Sequence, residues 1–94
     1  MEHSALGMKW EDVRKELFTE EEIIESDLRV ALIEELIKAR EESNISQREL
    51  ERLSGVKQPV ISRIEKGANP QLDTVLKILL PLGKTLAVVP IKKV

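Results

Sequence analysis

The chain has 94 residues, 41% of them apolar and 34% charged, with a formal net charge of −2 and no cysteine. That is the length of one domain and the composition of a globular, helix-rich chain. Disulfides and thiolate metal sites are excluded, and no apolar run of the roughly 18 residues needed to cross a bilayer is present.

The N-terminal MEHSALGMKW lacks the basic and apolar regions of a secretory leader, and a reducing cytoplasm is the compartment the composition fits. The charge is unevenly spread. Residues 1–42 carry 13 acids and 6 bases, a net of −7, whereas residues 43–94 carry 4 acids and 9 bases, a net of +5. One end offers a surface for a cationic partner and the other for an anionic one, unless both are simply solvated helix faces.

Residues 1–9 are read as a flexible N-terminus. WEDVRKELF, Trp10 to Phe18, places Trp10, Val13 and Leu17 on one helical face and predicts a short helix. Thr19 and Glu22 form a T-x-x-E capping box, so a new helical turn starts there. Ser26 is another candidate start, although Arg29 stands where a capping box wants an acid. This separates an N-terminal helical extension, 10–25, from a main domain, 26–83. Leu28, Ala31, Leu32, Leu36 and Ala39 make an apolar stripe that Ile33 and Ile37 widen, as for a helix packed against more than one neighbour.

Ser46 with Glu49 repeats the capping box. The helix it starts holds Gln47 to about Ser54 and stops at Gly55, which accepts the left-handed conformation. Pro59 suits the first turn of the next helix, Val60, Ile61 and Ile64 form its apolar side, and Gly67 ends it. Asn69-Pro70 reads as an N-cap followed by an N1 proline, with Leu72, Val75, Leu76 and Leu79 as the core stripe beyond it and Pro81 and Gly83 as its close. Thr85 to Val89 is β-branched and reads as a short strand limited by Pro90.

Two helices joined by a tight glycine turn can cross steeply and leave one face of the second helix free. With Ile61 and Ile64 turned inward, that face holds Gln58, Ser62, Arg63 and Lys66. Amide, hydroxyl, guanidinium and ammonium groups are those that read base edges and hold phosphates, and they are also ordinary surface groups. The spacing of Gln47, Leu50, Gly55, Val56, Ile61 and Ile64 decides between the two, because it resembles the Cro/C1-type, or XRE-type, helix-turn-helix family. The likeness runs from about Leu32 to Gly83 and takes in ISQ, SRIEKG and NPQLDTVLKIL.

The resemblance implies an all-α, lambda-repressor-like helix-turn-helix bundle that binds double-stranded operator DNA. On the family's pattern, Gln58, Pro59, Ser62 and Arg63 face base edges, while Ser46, Gln47, Lys57, Lys66 and Asn69 lie at the backbone. Pro59 can neither donate to nor accept from a base, so fixing the first turn is its other role. Glu51 departs from the pattern, which has a small residue where the two helices touch. It either reaches outward or pairs with Arg52 or Arg63.

A lone strand leaves its backbone groups unpaired, and the same strand of a second copy is the simplest partner. Residues 84–94 are therefore read as a dimerisation strand and tail, with Thr85, Leu86, Ala87, Val88 and Val89 at a homodimer interface. A frayed tail is the alternative.

The layout as a whole resembles the HigA antitoxins of type II toxin–antitoxin operons, through ELFTEEEIIESDLRVALIEELIKARE, SGVKQPVISRIEKG and NPQLDTVLKILLPLGKTLAVVP. This implies a dimeric antitoxin that represses its own operon and neutralises a small, basic RelE/HigB-like mRNA-cleaving toxin. Trp10, Val13, Leu17, Phe18, Glu20, Glu21 and Glu22 are the expected toxin contacts; Trp10 and Phe18 serve equally well as core anchors. A stand-alone XRE regulator, or a protein-binding module that has lost DNA binding, keeps the same fold. An enzyme is not expected. The one histidine, His3, lies in the expected flexible start, so the serines have no internal histidine base, and no glycine-rich phosphate loop or H-E-x-x-H pattern occurs. No cofactor, metal, membrane or small-molecule ligand is expected.

Overall fold

Residues 9–91 are described by the computed structural model; His3, all but the last residue of the expected flexible start, and residues 92–94 of the tail lie outside the described residues. Five helices form: α1 (Trp10–Leu17), α2 (Glu20–Glu42), α3 (Gln47–Ser54), α4 (Gln58–Glu65) and α5 (Leu72–Leu79), with a 3₁₀ turn over Leu80–Leu82. The chain divides into two units, Met1–Leu32 and Ile33–Val94.

In the first unit the Thr19 capping box is complete. The Thr19 N–H donates to Glu22 Oε1 at 2.8 Å, and the Glu22 N–H donates to Thr19 Oγ1 at 3.1 Å. Three glutamates in the first turn of α2 suit its dipole. Ser26 starts no helix. With the start already capped and no glycine or proline between Glu20 and Glu42, α2 runs straight through it. The Arg14 guanidinium ties α1 to α2 by donating to the Asp27 carboxylate and, at 3.5 Å, to the Ile23 carbonyl. Yet α1 buries no residue. Eight residues are too few to hold a helix in water by themselves, so α1 depends on what its apolar side touches.

The second unit is built around Leu36, Leu50, Ile61 and Ile78, which are fully enclosed. Ile33 and Ala39 of α2, Val56, Ile64, Val75, Leu79 and Leu82 complete the core. In the expected α2 stripe, Leu36 and Ala39 are buried, Leu32 and Ile37 half-buried, and Leu28 and Ala31 exposed. Asn44, at φ 56°, ends α2: its N–H donates to the Glu41 carbonyl at 3.0 Å and the Ile45 N–H to Arg40 at 3.1 Å. Those two bonds are a Schellman close, and asparagine is the residue after glycine best able to take it.

The expected Asn69–Pro70 cap does not form. Gln71 is the N-cap of α5, and Asp73 Oδ1 accepts from the Thr74 N–H at 2.8 Å in its first turn. Leu72 is now the first residue of the helix and is exposed, while Val75 and Leu79 of the expected stripe are buried together with Ile78, which the stripe did not include. Residues 84–91 have no regular structure, so no strand is present among the described residues. A strand needs a partner for its backbone, and a single chain supplies none here.

Candidate nucleic-acid interface

The turn between α3 and α4 is set by local chemistry. Ser46 caps α3, its Oγ accepting from the Glu49 N–H at 3.0 Å. The return half of that capping box is missing, because the Glu49 carboxylate is drawn to Arg52 instead. Gly55 sits at φ 79° and its N–H donates to the Glu51 carbonyl at 2.8 Å. Ser54 Oγ then accepts from the Val56 N–H at 3.1 Å, and Val56 is buried. These steps turn the chain within three residues and hand it to α4, with Pro59 in the first turn as the sequence predicts.

Ile61 and Ile64 fasten α4 to the core. On its other side Pro59, Arg63 and Lys66 are exposed, as is Lys57 just before it, and Gln58 and Ser62 are half-buried. Ser46 and Asn69 are exposed and Gln47 half-buried. Arg63 is in no ion pair among the described residues. Neither is Glu51, which is half-buried; of its two expected courses, the pairing with Arg52 or Arg63 is not made, and Arg52 is held by Glu49 instead. The Arg52 hydrogen bond holds the Glu49 carboxyl below its ordinary range. The Arg63 guanidinium therefore remains available.

A polar network that sequence reasoning did not find lies behind this face. The Arg40 guanidinium is bidentate on Glu65, with Nε to Oε2 at 2.7 Å and Nη2 to Oε1 at 2.9 Å, and its Nη1 donates to the Ile45 carbonyl at 2.9 Å. The two side chains are only 14% and 8% exposed. Gln47 Nε2 donates to Glu65 Oε1 at 2.9 Å, and Gln47 Oε1 accepts from Gln58 Nε2 at 3.0 Å. One chain of bonds thus runs from α2 through the end of α4 and the start of α3 to the start of α4. The hydrogen bond to Glu65 raises the Arg40 pKa against the opposing effect of burial. Gln47 is accordingly braced inside the network rather than standing alone at a helix N-terminus. Glu65, an acid on a helix otherwise rich in donors, was the signal available in SRIEKG.

Of the other expected site residues, Trp10, Leu17, Phe18, Glu20, Glu21 and Glu22 are exposed and Val13 half-buried, so neither aromatic is a core anchor. Trp10, Arg14, Phe18 and Ile23 line a groove of about 400 Å³ in the first unit. Thr85, Leu86, Ala87, Val88 and Val89 are all exposed. Among the described residues no three His, Cys, Asp or Glu side chains could hold a metal ion, and no helix is long and apolar enough to cross a membrane.

A glycine-turned helix pair whose second helix is anchored by two isoleucines and bears a free donor face defines a helix-turn-helix protein. The chain belongs to that family: the helix-turn-helix model matches residues 36–89, and the domain is of the XRE, DNA-binding type. An uncharacterized HTH-type transcriptional regulator of Haemophilus influenzae is 61% identical over 90 residues, 95% of this chain and 92% of its own. A chain in the solved structure of a toxin–antitoxin module from Streptococcus pneumoniae is 63% identical, with a TM-score of 0.72, over 95% of this chain and all of its own.

Proposed function

We propose that this protein is an antitoxin that binds operator DNA as a dimer, represses its own operon, and neutralises a RelE/HigB-like mRNA-cleaving toxin. One observation carries the reading. The helix-turn-helix match begins only at residue 36, whereas the likeness to the toxin–antitoxin chain takes in 95% of the sequence and so most of the acidic first unit. The helix-turn-helix match does not account for that unit. Its acids suit a toxin that is basic because it acts on RNA, and Trp10, Val13, Leu17 and Phe18 with Glu20, Glu21 and Glu22 are the contacts we assign.

DNA reading falls to α4. Gln58 spends one amide hydrogen on Gln47 and keeps its oxygen and second hydrogen, the pair that matches adenine. Arg63 matches guanine, and Ser62 either base. Pro59 holds the first turn against the same groove. Ser46, Gln47, Lys57, Lys66 and Asn69 lie at the phosphates, which supply affinity and register. Thr85–Val89 pairs with the same segment of a second copy, which satisfies its backbone and fixes the separation of two recognition helices.

The test is affinity purification of the tagged full chain from its native host at moderate salt. A near-stoichiometric small basic protein, whose RNA cleavage is blocked in the complex and restored on its release, is the expected result. Recovery of operator DNA with no such protein would favour a stand-alone regulator, the reading that the name of the Haemophilus influenzae relative supports.

A further inference from the structure

The chain contains the same capping motif twice, and only one copy closes. At Thr19 and Glu22 both halves form, each backbone N–H meeting the other residue's side chain. At Ser46 and Glu49 the Glu49 N–H donates to Ser46 Oγ at 3.0 Å, but the Ser46 N–H has no partner among the described residues. One position separates the two cases. Three residues beyond the acid of the motif stands Glu25 in the first and Arg52 in the second. Arg52 takes both oxygens of Glu49, Nε donating to Oε1 at 3.0 Å and Nη2 to Oε2. The carboxylate is thereby held toward the second turn of α3, away from Ser46.

The pair has little to do with holding the fold. Its side chains are 68% and 43% exposed, and solvated ion pairs contribute little to stability. Its place is what counts. A closed box would set a carboxylate on the Ser46 N–H, at the positive end of the α3 dipole. A carboxylate and a phosphate compete for the same N–H groups and the same dipole, and they repel each other. With the box open, that end of the helix carries no anion of its own.

We propose that Arg52 is a positioning residue for DNA binding: by drawing the Glu49 carboxylate away from the head of α3, it keeps that helix end open to a DNA phosphate. The inference rests on the assignment of Ser46 and Gln47 to the DNA backbone and adds to it a residue that touches no phosphate itself.

The test compares the full chain with Arg52→Ala, Glu49→Gln and the double variant, by two readouts. The first needs no DNA. It follows the Ser46 amide signal of isotope-labelled protein as the pH falls through the carboxylate range. In Arg52→Ala the box closes, so the Ser46 amide should follow the titration of Glu49, as the Thr19 amide follows that of Glu22; in the parent it should not. The second is affinity for a fluorescein-labelled random-sequence duplex at low salt, which serves because phosphate contacts carry no sequence information. Arg52→Ala should bind about fivefold more weakly, the effect of a like charge ~4 Å from a phosphate in water. Adding Glu49→Gln should restore the binding, and the same change in the parent should alter it less, because there the carboxylate already lies elsewhere. A Ser46 amide that ignores Glu49 in Arg52→Ala would overturn the proposal. So would a gain from Glu49→Gln of equal size in both backgrounds, which net charge alone produces. Arg52→Ala should melt no lower than the parent; a lower midpoint with a matching loss of binding would make Arg52 a structural residue instead. A parent chain without salt-dependent affinity for the duplex would refute the DNA assignment itself, a result the amide readout does not depend on.

Discussion

The substitution Arg40→Met isolates the network behind the recognition helix. It removes the cation from a pair in which Arg40 is 14% and Glu65 8% exposed, and leaves the Glu65 carboxylate with the neutral amide of Gln47 as its remaining side-chain partner. Removing one member of a buried pair costs about 3–5 kcal/mol. Because Arg40 keeps some access to water, the lower end applies, about 3 kcal/mol. For a domain of this size each kcal/mol moves the midpoint by roughly 4–8 °C, so thermal unfolding followed by far-ultraviolet circular dichroism should show a fall of about 12–24 °C. The double variant Arg40→Met with Glu65→Met removes both charges and should regain most of that loss, since apolar replacement of a whole buried pair is often neutral.

The same pair of variants separates stability from positioning. In the double variant Gln47 no longer has Glu65 to donate to, so its oxygen is no longer aimed at Gln58. A folded double variant should therefore bind operator DNA more weakly than the parent while melting near it. A single variant that melts within about 0.5 kcal/mol of the parent, the range of an inert surface change, would refute the reasoning, because the pair would then be ornamental. The sign of the pH effect is also fixed. A raised Arg40 pKa gives stability that is complete below the guanidinium's unfolded value and lost only as the pH rises through the still higher folded one, so Arg40 titration contributes nothing to acid unfolding.

The remaining expectations concern α3, α4 and the C-terminal segment. Arg63→Ala should cost about 1–3 kcal/mol on the cognate operator and relax sequence choice there, read by titration at fixed salt; an equal loss on random duplex would make Arg63 a phosphate contact only. Gly55→Ala meets no neighbouring atom, so its cost is the backbone strain of a φ of 79°, about 1–2 kcal/mol, measurable in a denaturant melt. Deleting residues 85–94 should leave the helices folded, since none of Thr85–Ile91 is buried, and should weaken operator binding by breaking the proposed dimer. A truncated chain that sediments as a dimer contradicts that assignment. The Glu49–Arg52 pair holds the Glu49 carboxyl low, so its contribution is present above the unfolded carboxylate range and vanishes as the pH falls through the folded value. Both groups are solvated, and Glu49→Gln at pH 7 in physiological salt should leave the melting midpoint where it was.

What the sequence made legible was what is decided within a turn or two of chain. The Thr19 capping box, the Gly55 stop, Pro59 in a first turn and the inward Ile61 and Ile64 are each fixed by neighbours a few residues away, and each is where the spacing places it. The misplacements share a cause. Asn69-Pro70 and Ser26 are sound local start signals, yet one is passed over for a start at Leu72 and the other is absorbed into α2. Val75 and Leu79 of the expected stripe are buried as the spacing predicts, whereas Leu72, on the same face but the first residue of α5, is exposed, and Ile78, three residues on from Val75, widens the buried face.

The network behind α4 was hidden for a different reason. Arg40 and Glu65 stand 25 positions apart, and no periodicity relates them. Only the packing of α2, α3 and α4 around Leu36, Leu50 and Ile61 brings them together. The site thus divides along the line between local and long-range causes. The donors that face outward follow from helix period and are readable; the bonds that orient them are made by packing and become visible only in three dimensions. Gln47 shows the consequence. Its place at the head of α3 suggests a phosphate ligand acting alone, whereas its bonds to Glu65 and Gln58 make any phosphate it holds part of the same rigid unit as the amide we propose for base reading. On the assignment proposed above, affinity and sequence choice are coupled through one side chain, and a change at Arg40, outside both helices of the turn, should reach both.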